Sequence, residues 1–190
     1  MILYSGNTEA ERTFCASLGE ILIRWNEIEA SMRILLYKAS GGTGDKLEVL
    51  IVHLGNVPLK HALNAVADAY DPTVSAHLKY CANLFEACWS YRNHFAHDLI
   101  SLASTDGETV CISQDIKAKN GALHLHQGTV RQLDLDTFID HEIALKKYVS
   151  DLILGLYDIP TSQSFDTVER PRLPDKLVLS SLHLMKMRQA

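Results

Sequence analysis

The sequence predicts a mainly all-α fold, namely an antiparallel helical bundle with a β-hairpin inserted before the last bundle helix. In three long segments apolar residues recur at steps of three and four, as on one face of a packed helix. Between the second and third of these segments, apolar residues alternate around an Asn-Gly pair, which indicates a hairpin. With 190 residues and 47% hydrophobic content, the chain can bury a core of its own.

The first long helix is predicted from Thr8 to the Gly41-Gly42 pair. Thr8 and Glu11 have the spacing of a capping box, and the glycines are typical of a helix end. Its apolar seam is continuous: Phe14, Leu18, Ile21, Trp25, Ile28, Met32, Leu35 and Ala39. Two shorter helices are predicted over residues 45–53 and 58–70, the second with proline in its first turn.

The second long helix is predicted over residues 72–103, opened by Asp71-Pro72. Its seam contains Val74, Leu78, Cys81, Phe85, Cys88, Arg92, Phe95, Leu99 and Leu102. Arg92 is the charged exception, and a guanidinium in an apolar seam needs a charged or polar partner. A second apolar row consists of Ala82, Trp89, Ala96 and Ile100. A helix with two apolar faces favours a homodimer.

The predicted hairpin occupies about residues 108–131, with Asn120-Gly121 as its turn. A further helix is predicted over 137–157, completing a domain of residues 1–157. Residues 158–175 are rich in proline, serine and threonine and are predicted to form an extended linker. Residues 176–188 have the pattern of a short amphipathic arm, which we expect to dock on this domain or on a second copy.

Charge and composition exclude several classes of function. The net charge of −5 disfavours coating nucleic acid by bulk electrostatics, although a local phosphate site remains compatible with it. No apolar run is long enough to cross a membrane, and no segment resembles a signal peptide. The scattered cysteines indicate buried, reduced thiols, which favours a cytoplasmic location. Since no glycine-rich phosphate loop is present, the sequence predicts no cofactor.

The densest chemistry lies in residues 92–98, Arg-Asn-His-Phe-Ala-His-Asp. On a helix, Asn93 and His97 share a face, whereas Arg92 and His97 diverge by about 140° and about 7.5 Å along the axis. One small site can therefore use both only if the arginine wraps round, the helix ends irregularly, or a second subunit contributes.

The Arg92-Asn93-x-x-x-His97 pattern resembles the signature of the HEPN family, which is Arg, a polar residue, three variable residues and His. The chain is also similar to that family in its long first helix, with Trp25-Asn26-Glu27-Ile28-Glu29, and in a helix following the motif. The resemblance covers residues 8–157, with the hairpin as an insertion. Toxins of the family that are encoded beside nucleotidyltransferase antitoxins typically have an aromatic residue shortly after the histidine, where this chain has Asp98-Leu99.

The resemblance implies a metal-independent endoribonuclease of the toxin or defence type, in which the motifs of two subunits meet. His97 would then be the general acid or base at the ribose 2′-hydroxyl, and Arg92 would brace the phosphate. Asn93 would orient His97 or contact the phosphate, and His94 is a further candidate for orienting or binding substrate. The implied partners are a second copy, RNA, and an antitoxin or other protein.

Other interpretations stay open from the sequence. Arg92 fits a structural ion pair with Glu29 or Glu27, and His97 fits a capping or surface histidine. His94, His97 and Asp98 have metal-compatible spacing, but no third strong ligand is evident elsewhere, so no metal is predicted. The alternative functions are a non-catalytic HEPN-like module that binds RNA, nucleotide or protein, and a purely structural helical assembly protein.

Overall fold

The structure is a computed structural model that describes residues 8–42, 45–97, 99–105, 108–119, 122–157, 165 and 167–174. Within these residues the chain is mostly helical, with one sheet between the fourth and fifth helices. The elements in chain order are α1 Glu9–Ala39, α2 Asp45–Val52, α3 Asn56–Ala67, α4 Pro72–His97, β1 Leu99–Thr105, β2 Glu108–Lys119, β3 Ala122–Arg131 and α5 Gln132–Tyr157. Each described helix is too short or too polar to traverse a lipid bilayer.

Helix α1 begins at the predicted capping box. The backbone N–H of Thr8 donates to Glu11 Oε2 and that of Glu11 donates to Thr8 Oγ1, both at 3.1 Å, so two otherwise unpaired donors of the first turn are satisfied. The helix ends before Gly41 and Gly42, whose φ angles of 88° and 52° suit glycine. Every residue of the predicted seam is buried, which confirms the prediction for this helix.

The described chain divides into two compact units. The helical unit contains residues 23–42, 45–89, 140–157, 165 and 167–174. The strand unit contains residues 8–22, 90–97, 99–105, 108–119 and 122–139. Helices α1, α4 and α5 contribute residues to both units.

In the helical unit, α1 runs antiparallel to α4 and parallel to α5. Trp25 stacks on Phe85 at 5.0 Å, and Met32 accepts a hydrogen bond from Cys81 at 3.7 Å. Residues of higher number on α1 thus contact residues of lower number on α4. On α5 the contacts advance with α1: Glu27 pairs with Lys146, and Lys38 lies over the ring of Tyr157. The seams of these helices form one buried core.

A short segment after α5 is anchored in the helical unit by Phe165, which is fully buried. Its ring lies 5.9 Å from that of His77 and contacts the backbone of α5 at Gly155. The Tyr148 hydroxyl forms a hydrogen bond with His77 Nδ1 at 2.8 Å and lies 3.3 Å from the carbonyl oxygen of the same residue. The remainder of the predicted linker near residue 160 and the predicted arm at 176–188 lie outside the described residues.

The strand unit contains an antiparallel three-stranded sheet of order β1-β2-β3. Strands β2 and β3 lie where the sequence predicts a hairpin, with Val110 opposite Arg131 and Lys119 opposite Ala122. The Asn120-Gly121 turn lies outside the described residues.

The sequence prediction for the end of α4 was wrong. We expected helix to residue 103, but α4 ends at His97 and Leu99–Thr105 forms strand β1, paired with β2. Leu99 and Leu102 fit the helical spacing. Pairing with β2, however, gives the backbone N–H and C=O groups of this segment hydrogen bonds of a sheet, and such pairing overrides the local pattern. Helix α5 also begins earlier than predicted, at Gln132, where Asp134 accepts a hydrogen bond from the backbone N–H of Arg131 at 2.8 Å.

Candidate functional site

The candidate motif lies in the last two turns of α4, within the strand unit. Arg92, Asn93 and His94 are all half-buried, and Phe95 is buried. The helix continues unbroken to His97. An irregular helix end is therefore not what would bring Arg92 and His97 into one site. Arg92 and His97 therefore remain about 140° apart around the helix and about 7.5 Å apart along it. The side chain of His97 and all of Asp98 lie outside the described residues.

Arg92 has a limited set of partners in the described structure. Its Nη1 donates to Asn93 Oδ1 at 3.4 Å, which is a long hydrogen bond between neighbours in sequence. Its Nε is buried and has no hydrogen-bond partner among the described residues. A guanidinium has five N–H donors in a planar fork, so Arg92 keeps donors that match a carboxylate or phosphate. Asn93 thus contacts Arg92, and its expected role toward His97 or the phosphate stays a prediction.

A cluster of three aromatic rings holds the motif turn. Phe138 of α5 stacks on Tyr91 with ring centroids 5.5 Å apart and planes at 15°, and lies 5.5 Å from Phe95 at 59°. Tyr91 and Phe95 are four residues apart and flank Arg92 to His94, so Phe138 fixes the rotation of this part of α4. Sequence reasoning placed Phe138 and Phe95 in apolar seams but missed Tyr91.

The carboxylates proposed as partners of Arg92 have other partners in the helical unit. Glu29 accepts a hydrogen bond from Trp25 Nε1 at 2.5 Å and pairs with Arg33 at 3.5 Å. Glu27 pairs with Lys146, whose hydrogen bond lowers the pKa of the Glu27 carboxyl. The pairing of Arg92 with Glu29 or Glu27 stays a prediction.

Glu142 is a buried carboxylate that sequence reasoning missed. It is fully buried on α5, in the seam between Phe138 and Leu145. Cys88 lies near enough to feel its charge: burial first, and then the Glu142 carboxylate, raise the pKa of Cys88 to about 12. Burial also raises the pKa of Cys81. Both thiols are therefore unreactive at neutral pH, in agreement with their interpretation as core residues.

The second apolar row of α4 is shorter than predicted. Ala82 is buried, Trp89 and Ala96 are half-buried, and Ile100 belongs to β1 rather than to the helix. Three or more His, Cys, Asp or Glu side chains do not come together as a metal site anywhere in the described part of the chain. The metal interpretation of His94, His97 and Asp98 depends on side chains outside it and is untested.

Arg92→Met is expected to stabilise the fold by up to about 1 kcal/mol, because it removes a buried donor that lacks an acceptor and keeps a long apolar stem. Urea denaturation of both proteins measures this difference. Lys60→Met is the matched control, since Lys60 pairs with Glu86 at 2.6 Å and its removal leaves that carboxylate without its cation. A loss of several kcal/mol in Arg92→Met would instead mean that the arginine neutralises a buried carboxylate.

Comparisons with models of protein families, with curated proteins and with solved structures found no significant match for this chain.

Proposed function

We propose that this protein is a HEPN-like, metal-independent endoribonuclease of the toxin or defence type that acts as a homodimer. In this proposal the helices form a HEPN-like bundle, with the β1–β3 sheet as an insertion before its last helix. The observation that carries the proposal is Arg92, which is half-buried near the end of α4, five residues before His97, and whose Nε has no hydrogen-bond partner among the described residues.

The proposed reaction needs an acid, a base and an anion-binding group, and two copies of the motif supply all three. One His97 removes the proton of the ribose 2′-hydroxyl, whose oxygen then attacks phosphorus. The bond from phosphorus to the 5′-oxygen breaks, and the second copy's histidine donates a proton to that leaving oxygen. Arg92 stabilises the additional negative charge on the phosphate oxygens. The products are a 2′,3′-cyclic phosphate and a 5′-hydroxyl end.

The helix geometry favours the use of two copies. Because α4 remains helical to His97, the Cα atoms of Arg92 and His97 in one chain lie about 140° apart around the helix. A cleft between two motifs allows the arginine of one subunit and the histidine of the other to face the same phosphate. An antitoxin or another protein is a further partner in this setting. The reduced, buried thiols of Cys81 and Cys88 support a cytoplasmic location.

We expect the purified protein to cleave single-stranded or structured RNA in the presence of EDTA and to leave 2′,3′-cyclic phosphate ends. Gel electrophoresis of a broad RNA panel, with mass spectrometry of the ends, measures this. Cleavage that requires added Mg²⁺ would contradict the proposed mechanism. RNA that is bound but left intact would support the alternative of a non-catalytic binding module, and the absence of both would favour a structural assembly protein.

A further inference from the structure

The helical unit carries an exposed two-helix face on α1 and α5. On α1, Ile23, Glu27, Ala30, Ile34 and Lys38 lie within an arc of about 80°. Ile23 is 64% exposed and Ile34 is 49% exposed. These residues therefore form an apolar stripe along the surface of α1, flanked by two charges.

A matching stripe runs along α5. Ile143, Lys146, Ser150, Leu154 and Tyr157 lie within about 100° of arc. Leu154 is 64% exposed and Tyr157 is 63% exposed. The pairs Glu27–Lys146 and Lys38–Tyr157 connect the two stripes, so they belong to the same side of the helical unit. We call these ten residues the α1/α5 face.

We propose that the α1/α5 face binds the same face of a second copy of this chain in an antiparallel, two-fold symmetric arrangement. The first argument is size. From residue 23 to residue 38 the face is about 22 Å long, and two adjacent helices make it about 20 Å wide. Protruding side chains add to the accessible area of this surface. The area therefore approaches the roughly 600 Å² per partner found at the lower end of specific interfaces.

The second argument is that the α1 stripe is complementary to itself when reversed. A two-fold axis that crosses α1 near residue 32 places Lys38 opposite Glu27 of the second copy, since both lie about five to six residues from the axis. The same axis places the bulky Ile34 opposite the small Ala30 of the second copy. Across this axis each charge lies opposite one of opposite sign, and a large side chain lies opposite a small one.

The same axis makes the α5 stripe complementary as well. The contacts Glu27–Lys146 and Lys38–Tyr157 have the same spacing along α1 and along α5, so the two helices keep one register. The axis that crosses α1 near residue 32 therefore crosses α5 near residue 151. It then places Lys146 opposite the ring of Tyr157 and Leu154 opposite Ser150 of the second copy. A lysine over an aromatic ring is favourable, and the small serine leaves room for the leucine. Two stripes thus agree on one axis.

The α1/α5 face is a different surface from the motif on α4, so the two pairings are independent. Failure of the face to associate would leave the proposed ribonuclease activity untouched, and inactivity toward RNA would leave the face untouched.

Light scattering coupled to gel filtration tests the interface. We expect the double variant Ile34→Glu, Leu154→Glu to have half the mass of the wild type, because it places four carboxylates in the apolar contact of each pair. Leu50→Glu is the matched control, since Leu50 is 68% exposed on α2, away from the face, and should keep the wild-type mass. Equal masses for the wild type and the double variant would overturn the proposal.

Charge reversal tests the antiparallel register. Lys38→Glu and Glu27→Lys each place like charges opposite each other, so each variant alone should have half the wild-type mass. A mixture of the two variants restores both opposite-charge pairs and should recover the wild-type mass. Circular dichroism verifies that each variant is folded. Masses unchanged in the single variants, or no recovery in the mixture, would contradict the register.

Discussion

His97→Ala is expected to lower the rate of RNA cleavage by about 10²–10⁴-fold, the contribution typical of a positioned general acid or base. An unperturbed histidine titrates near pH 6.5, so it can both accept and donate a proton at neutral pH. Because His97 is the last residue of α4, we expect its replacement by alanine to leave the rest of the helix unchanged. The melting temperature should therefore stay within about 2 °C of the wild type.

Single-turnover cleavage of a fixed RNA, followed by gel electrophoresis, measures this loss. His61→Ala is a suitable control because His61 is exposed on α3, outside the strand unit, and its removal should change neither rate nor stability. Mixing His97→Ala with Arg92→Met protein adds a further test: the heterodimer keeps one His97 and therefore lacks either the base or the acid, so the mixture should not regain the wild-type rate. Wild-type cleavage by His97→Ala alone would remove His97 from the proposed chemistry.

Local patterns in the sequence were sufficient to predict α1. Its capping box and seam involve residues three or four apart, so the interactions that decide the structure can be recognised without knowledge of the rest of the chain. The prediction for Arg92 depended on the same logic, because a charge in an apolar seam is visible locally. The hydrogen bond from Arg92 to Asn93 was not predicted, since side-chain direction depends on the surrounding packing.

The end of α4 shows where such local patterns are ambiguous. Leu99 and Leu102 are three residues apart and extend the helical seam, but residues 99–105 can equally place alternate side chains on the faces of a strand. Pairing with β2 selects the strand, for example through Leu102 opposite Cys111. That partner lies outside the three- and four-residue steps by which a helix is recognised in sequence. Glu142 is different, because its position four residues after Phe138 places it on the α5 seam in the sequence itself. A carboxylate in an apolar seam is a local signal of the same kind as Arg92.

Composition was misleading for the segment after α5. Prolines, serines and threonines around residue 165 indicate an extended linker, and one aromatic residue among them carries little weight in sequence. In the structure Phe165 is fully buried against α5, and Tyr80 donates a hydrogen bond to the carbonyl of Pro171 at 2.5 Å. A single anchor in a polar segment has no periodicity, so it becomes apparent only when the cavity that receives it is known.

Phe165→Ala is therefore expected to lower the free energy of unfolding by about 3–5 kcal/mol, the cost of removing a buried phenylalanine and leaving a cavity. The ring lies against His77, and its loss also uncovers the pair that His77 forms with Tyr148. Urea denaturation followed by circular dichroism measures the change. Leu173→Ala is the control from the same segment, since Leu173 is 41% exposed and its removal should cost less than about 1 kcal/mol.

Gly155 makes the test specific to this contact. A Cβ at Gly155 would lie 3.0 Å from Cζ of Phe165, so Gly155→Ala should destabilise the protein by about 1–3 kcal/mol through overpacking. Phe165→Leu removes the clashing atom, so the double variant should be more stable than the sum of the two single changes predicts. Strictly additive effects, or a Phe165→Ala protein as stable as the wild type, would mean that the segment does not dock on α5 in solution. A destabilised Phe165→Ala protein would instead mean that Phe165 and residues 167–174 belong to the helical unit, because the stability of that unit depends on their docking.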